Sequence, residues 1–565
     1  MVTQALYRCV DMLSILAGGA RIRGSLKIFK RGLQMNVRKI FLHVALILTS
    51  IAFLYLFSYS TSPRYFFIGN DSIIFQTVGK CWTEGVLPYV GTFENKGPLL
   101  FFVNAVGYLI YPRYGIMLLQ IPFMYFSFLF MWRAVELYWS RRATLIIFLF
   151  MIFWRASNFY EGNRTEEYSM PFLMAATYFF LRGLKDFADG KFYCPPLVGA
   201  VYGVGFGACV LLRTTNGLPI CCYVLLTAIF LLRAREFKTL RQNFLSFVAG
   251  FAAICLPFAV YFATHGALYD MLYGTILLNI NHATGFNPSA EEFRELVVPH
   301  VIYRCTMLIW MIPLSLLAVA FNRNSRLAWS GLITSAAMLF MLIKSRPFYG
   351  YLELIAPLLP IFFAVIYELK IRLIPALKEI WSIRSFSLKR ILCKIGMLML
   401  LLIIIFQTAI QGIGLYWLFR CANEDDYIKF HQKEQSDLHE FQKTIPDAER
   451  DSVICWGESN VIGQFILDSG IKPRCRFFGN IAMFFGKSDP AVIDEWIQNV
   501  RNDYPKWIVY TVLEEEYLGK KMSYFKYNFQ RQRNPEVEKI LDDRYALKAQ
   551  MKLYDQIIGL YRLRE

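Results

Sequence analysis

Five stretches of this sequence set acids and bases where they can act together. Asp71 follows Gly69-Asn70 and heads an apolar run, and Glu94 and Lys96 stand in the turn Glu94-Asn95-Lys96-Gly97-Pro98. Glu161, Arg164, Glu166 and Glu167 crowd the short segment between Tyr160 and Pro171, while Arg213, Lys344, Arg346 and Tyr349 mark the ends of later apolar segments. A carboxylate such as Asp71 can act as a general base toward an incoming hydroxyl. A cation such as Lys96 can neutralise a phosphate, the arrangement needed where charge develops on a departing group. Each has a plainer reading as well: Asp71 suits a helix cap, and Lys96 suits a lysine that snorkels to the lipid headgroups.

The elements that must position these groups are overwhelmingly apolar. The chain has 565 residues, 56% of them hydrophobic and 18% charged, with a mean hydropathy of +0.38. That balance excludes a soluble globular protein, a coiled coil, collagen and bulk disorder. The sequence predicts a polytopic α-helical membrane protein of about 11 spans. They fall at 40–60, 115–138, 143–156, 168–184, 196–212, 216–232, 243–263, 300–320, 327–343, 350–368 and 394–417. Residues 61–114 are too many for a connector and too apolar for a solvated loop, so interfacial helices are expected at 72–85 and 98–111. The first has apolar residues at 73, 74, 75, 78, 81 and 82, and the second is too short to cross.

Charge sets the orientation and removes nucleic acid as a partner. Net charge is +18, yet residues 421–565 hold 21 Lys/Arg against 24 Asp/Glu, so the excess lies in the loops of the apolar part. With the amino terminus in the cytoplasm, the inner segments collect 27 basic residues, as the positive-inside rule requires. The expected domains are a basic cytoplasmic segment 1–39, a transmembrane module 40–420 and an extracytoplasmic α/β domain 421–565. In that last domain Val453–Trp456 and Trp507–Tyr510 read as strands, with a helix near 489–500 between them. Cys455 and Cys475 of that domain are a candidate pair, but spacing alone does not decide it. No HExxH, CxxC pair, P-loop or dinucleotide fingerprint occurs, so zinc hydrolysis, nucleotide hydrolysis and hydride transfer lack support.

The order of these motifs resembles the bacterial GT-C glycosyltransferases, multispanning enzymes related to protein O-mannosyltransferases and the aminoarabinose transferases of lipid A. The resemblance covers residues 40 to about 370. It rests on an Asp opening an interfacial helix after the first span, the turn ENKGPLLFF (94–102) and the second-loop stretch GNRTEEYSMPF (162–172). It implies an inverting transfer of sugar from a polyprenyl-phosphate carrier, on the outer membrane face, to a hydroxyl of a glycan, lipid or protein acceptor. Asp71 is then the base, with Glu166 as the second-loop acid and Glu167 as its alternate. Lys96, Lys344 and Arg346 are assigned to the donor phosphate, and Glu94, Arg164, Arg213 and Tyr349 to the substrate. Where the family usually has Asp-Glu, this chain has Asp71-Ser72, which removes a metal ligand; no cofactor is expected and a divalent metal lacks support.

Three rival classes remain at this level, the third a non-catalytic membrane scaffold. A lipid-linked sugar transporter is expected to carry charges on both faces or mid-span, whereas these concentrate at the outer ends. A ligase or polymerase that uses lipid-diphosphate donors is expected to rely on outer Arg and His residues, and His282, Arg294 and His300 keep that reading open.

Overall fold

The computed structural model describes residues 20–65, 70–159, 161–190, 194–280, 293–298, 301, 305–344, 349–382, 433, 436–457, 459–478, 491–513, 535–553 and 556–565. Residues 1–52 and 53–565 are two compact units. The described part of the first is the bulk of helix α1 (Ala20–Phe57).

The second unit begins with the helices on either side of the Lys96 turn, α2 (Asn70–Thr83) and α3 (Pro98–Ile110), each starting within two residues of its expected position. Helix α2 has Asp71 in its first turn, where a negative charge meets the exposed N–H groups of the helix end. Helix α3 starts on Pro98, which gives up no hydrogen bond at that position. The two pack closely, with Gly79 of α2 against Asn104 and Ala105 of α3.

Then follow α4 (Tyr114–Glu136), α5 (Arg141–Asn158), α6 (Thr165–Ala188), α7 (Pro196–Leu212), α8 (Leu218–Arg233) and α9 (Phe237–Thr264). A short helix α10 (Leu268–Leu272) leads into the next loop, and α11 (Thr306–Phe321), α12 (Arg326–Lys344) and α13 (Leu359–Ser382) close the helical part. Helices α7 and α9 meet along a seam of small residues. A side chain at Gly199 or Gly203 would strike the carbonyls of Asn243 or Phe247 at 2.2 and 2.0 Å. Spacing small residues four apart is how helices approach closely without a hydrophobic driving force. Asn243 secures one end of the seam, accepting from Gly199 N–H at 2.9 Å and donating to Cys194 O at 2.8 Å.

Among the described residues six helical segments are long and apolar enough to cross a membrane: Lys39–Phe57, Tyr114–Glu136, Thr214–Arg233, Phe237–Thr264, Arg326–Lys344 and Gly350–Ile371. The other five expected spans differ for identifiable reasons. Those at 143–156 and 168–184 fall on α5 and α6, which carry Arg141, Arg142 and Arg155, and Glu166, Glu167, Arg182 and Lys185. Those at 196–212 and 300–320 fall on helices of 17 and 16 residues. The span at 394–417 lies outside the described residues.

The C-terminal part is a four-stranded mixed sheet with helices. Strands β1 (Val453–Trp456), β2 (Trp507–Leu513), β3 (Tyr545–Leu553) and β4 (Gln556–Leu563) lie in the order β1-β2-β4-β3. β1 and β2 are parallel, and β4 is antiparallel to both of its neighbours. Helices α14 (Ser459–Ser469), α15 (Ala491–Asn502) and α16 (Pro535–Arg544) accompany them. Trp496 of α15 fills the core beside Trp456 and donates its indole N–H to Cys455 O at 3.1 Å. Cys455 and Cys475 are both buried free thiols; burial pushes Cys475 up to about 12 and raises Cys455 as well.

Candidate active site

The segment between α5 and α6 is shaped by a left-handed pair, Gly162 (φ +78°) and Asn163 (φ +55°). A Cβ at Gly162 would sit 2.2 Å from Ser58 Oγ, so the conformation and the close approach both call for glycine. This turn aims Asn163 inward. Its amide nitrogen donates to Ser72 Oγ and to Asn104 Oδ1, both at 2.8 Å, while Tyr168 Oη donates to its oxygen. One buried asparagine thus ties the start of α6 to α2 and α3.

Arg164, next in sequence, is the hub. Its guanidinium lies 2.9 Å from Asp71 Oδ2, 3.2 Å from Glu161 Oε1 and 3.5 Å from Glu166 Oε2. Asp71 N–H also donates to Glu161 Oε1, at 3.3 Å. Glu166 continues the chain to Arg213 at the end of α7, Nη1 to Oε1 at 3.2 Å, and Arg213 lies over the Tyr351 ring and donates to its hydroxyl. Burial works against charge on Arg164, but Asp71, Glu166 and Glu161 more than offset it and hold its pKa above the ordinary arginine value. Arg213 is raised likewise: burial opposes, and Tyr351 and Glu166 prevail. The Asp71 side chain remains 34% exposed and that of Arg213 23%, while Glu166 is 1% exposed.

Lys96 reaches the same neighbourhood through the backbone. Gly97 N–H donates to Leu212 O at 2.9 Å, one residue before Arg213. A Cβ at Gly97 would lie 2.0 Å from Leu211 O, so glycine is what lets the turn come this close. The Lys96 ammonium rests 3.0 Å from Glu94 Oε1 and 2.6 Å from Asn95 Oδ1, partly exposed.

The structure therefore brings Asp71, Arg164, Glu166 and Arg213 into one network and sets the Glu94–Lys96 pair beside the end of α7. Glu167 faces elsewhere, accepting from Gln120 Nε2 at 3.0 and 2.9 Å and from Asn163 N–H at 2.8 Å. Lys344 is exposed at the end of α12. Arg346 lies outside the described residues, and so does the Tyr349 side chain. Sequence reasoning left Glu161 without a role and missed Tyr351. It also missed the buried pair Arg155–Glu353, whose Nε and Nη2 donate to Oε1 at 3.0 and 2.8 Å. A cation inside an apolar stretch, as at Arg155, was the available signal.

Comparison with solved structures fits this architecture. ArnT from Cupriavidus metallidurans bound to undecaprenyl phosphate superposes with a TM-score of 0.54 at 14% identity, over 92% of this chain and 97% of that one. The same protein in the apo state gives a TM-score of 0.51, over 93% and 98%. The chain shares the fold of these ArnT structures. The Archaeoglobus fulgidus oligosaccharyltransferase tethered to an acceptor peptide also matches, with a TM-score of 0.50 at 13% identity, over 93% of this chain and 74% of that one. No protein-family model and no curated protein matches the sequence. With six described helical segments long and apolar enough to cross, the chain is a multi-pass membrane protein.

Proposed function

We propose that the protein is a membrane glycosyltransferase that moves a sugar from a polyprenyl-phosphate carrier to a hydroxyl on a glycan, lipid or protein acceptor. In this reading the chain crosses the membrane eleven times, with the amino terminus in the cytoplasm and the C-terminal domain and reaction outside. The observation that carries the proposal is the Asp71–Arg164–Glu166–Arg213 network, which joins two loops and a helix end on a fold shared with a protein crystallised on undecaprenyl phosphate.

The chemistry assigned to this chain's groups follows from their placement. Asp71, fixed by Arg164 yet partly exposed, takes the proton of the acceptor hydroxyl. The acceptor oxygen bonds to the anomeric carbon while the bond from that carbon to the phosphate oxygen breaks, and its electron pair leaves with the carrier phosphate. Attack opposite the departing phosphate inverts the anomeric centre. Lys96 and Arg213 offset the charge gathering on the phosphate, and Glu166 holds both guanidinium groups in register. A lipid-linked donor brings its own anchor, so a nucleotide-binding domain is unnecessary.

Among the described residues no group of three or more His, Cys, Asp or Glu is arranged to hold a metal ion. Metal independence is part of the proposal: dialysis against a chelator is expected to leave transfer unchanged.

The test uses purified protein in lipid with a panel of polyprenyl-phosphate sugars, following release of the carrier. Wild type is expected to release it with at least one sugar, and Lys96→Ala to raise the donor KM about tenfold, one charged hydrogen bond's worth. Movement of the lipid-linked sugar across the bilayer without bond cleavage sinks the transferase reading.

A further inference from the structure

The C-terminal domain grips both of the elements that carry the proposed base and phosphate contact. Helix α14 lies on α2, the helix headed by Asp71. Gly463 comes so near that a Cβ there would be 2.3 Å from Ile73 Cγ2. Thr77 Oγ1 donates to Gly463 O at 3.2 Å, and Lys80 Nζ donates to the carbonyls of Ile466 and Leu467 at 3.3 Å each. A cation at the last carbonyls of a helix is the favourable sign for that end.

Arg476 then reaches the turn that leads to Lys96. Its carbonyl accepts from Phe93 N–H at 2.8 Å. Its Nη1 donates to Tyr89 O at 3.1 Å and to Asp270 Oδ1 at 3.0 Å, the latter in α10. Its Nε and Nη2 hold Glu495 of α15 at 2.8 and 2.7 Å. The guanidinium lies 4.8 Å from the centre of the Phe477 ring and 5.6 Å from that of Phe93. One side chain thus fastens the C-terminal domain, the 89–97 turn and the segment after α9 together. A planar fork with five donors can do this; a lysine ammonium cannot fill all the positions.

We propose that Arg476 is a positioning residue for sugar transfer, fixing the Lys96 turn relative to the Asp71 helix, so that the C-terminal domain is part of the transfer machinery and not an appended acceptor-binding module. The inference rests on the transferase reading above.

The test uses the full chain in lipid nanodiscs. It compares wild type, Arg476→Ala, Arg476→Lys and Asp270→Asn in donor KM, kcat, Kd for polyprenyl phosphate alone, thermal unfolding, and amide hydrogen exchange over residues 89–97. Arg476→Ala is expected to raise donor KM and carrier Kd about tenfold, with kcat changed less, and to speed exchange in the turn but not in α12. Arg476→Lys is expected to restore part of the affinity, and Asp270→Asn to give a smaller rise. Unchanged KM, Kd and turn exchange in Arg476→Ala overturns the proposal. If that variant does not fold, unchanged values in both Arg476→Lys and Asp270→Asn overturn it equally. A wild-type protein that transfers no sugar is a separate outcome, visible without any variant, and defeats the transferase reading itself.

Discussion

The cluster around Arg164 and the pair Arg155–Glu353 are both buried ionic assemblies, but they are closed to different degrees. Arg155 is 1% exposed and Glu353 4%, and the rings of Phe53, Phe128 and Phe159 surround the guanidinium with centres 5.6 to 5.9 Å away. One of its nitrogens, Nη1, is buried without a hydrogen-bond partner among the described residues. A pair enclosed in this way has paid its desolvation and has no edge on which a substrate can bind. The Arg164 cluster is equally buried at its centre, but its two ends, Asp71 and Arg213, reach solvent. Burial of charge therefore does not mark the candidate site by itself; a buried hub with accessible ends does.

The sharpest way to break this comparison is Asp71→Asn. The side chain is partly exposed, and asparagine keeps its size and an oxygen that can still accept from Arg164, so unfolding temperature is expected to stay near that of wild type. Transfer is expected to fall about 10²- to 10⁴-fold, the usual contribution of a general base. Undiminished carrier release by this variant removes Asp71 as the base and leaves it a partner of Arg164.

Arg155→Ala makes the opposite prediction. Removing one partner strands the Glu353 carboxylate in the interior, and a loss of about 3–5 kcal/mol is expected from denaturation in detergent. The double replacement Arg155→Met with Glu353→Leu is expected to recover most of that loss, because neither charge is then left alone. Should Arg155→Ala unfold like wild type and lose only activity, the closed pair belongs to the catalytic site and the contrast fails.

A finer distinction separates two adjacent glutamates. Glu166 is shared by two arginines, whereas Glu167 accepts from a neutral amide and a backbone N–H. Glu166→Gln is expected to lower kcat/KM about 10- to 100-fold, since each charge-assisted hydrogen bond is worth roughly 1.5–3 kcal/mol. For Glu167→Gln a change of about threefold is expected, one neutral hydrogen bond's worth. Steady-state kinetics on both variants decides between them, and a reversed order assigns the second-loop acid to Glu167.

Much of this arrangement was legible because its signals are local. The starts of α2 and α3 are written in Asn70-Asp71 and Gly97-Pro98, and the apolar runs Val453–Trp456 and Trp507–Tyr510 mark β1 and most of β2, with α15 between them. The hairpin of β3 and β4 escaped, since Tyr545–Leu553 carries Lys548 and Lys552, breaks its alternation at a register shift between Leu547 and Ala549, and gains its identity only by pairing with Gln556–Leu563. At the site, Asp71, Glu166 and Arg213 were legible by type and position. The role of Arg164 as their hub was not, because its partner Asp71 stands in another loop, and Glu353 lies 198 residues from Arg155. Sequence spacing shows which groups approach one interface; it does not show which of them meet.

The smallest expected effect tests whether burial, and not the count of ion pairs, divides the molecule. Arg501 and Glu536 pair on the surface of the C-terminal domain, with side chains 54% and 44% exposed. Water and salt screen such a pair, and each side chain gives up rotamer freedom to hold it, so Arg501→Ala is expected to cost less than about 1 kcal/mol. Arg476 belongs to the same domain and also pairs with a glutamate, but its side chain is only 19% exposed and spans the join to the Lys96 turn. Arg501→Ala should therefore leave donor KM and exchange at residues 89–97 unaltered under conditions where Arg476→Ala shifts both. If the two variants behave alike, the domain's influence on the site is a matter of its overall stability, and no single side chain transmits it.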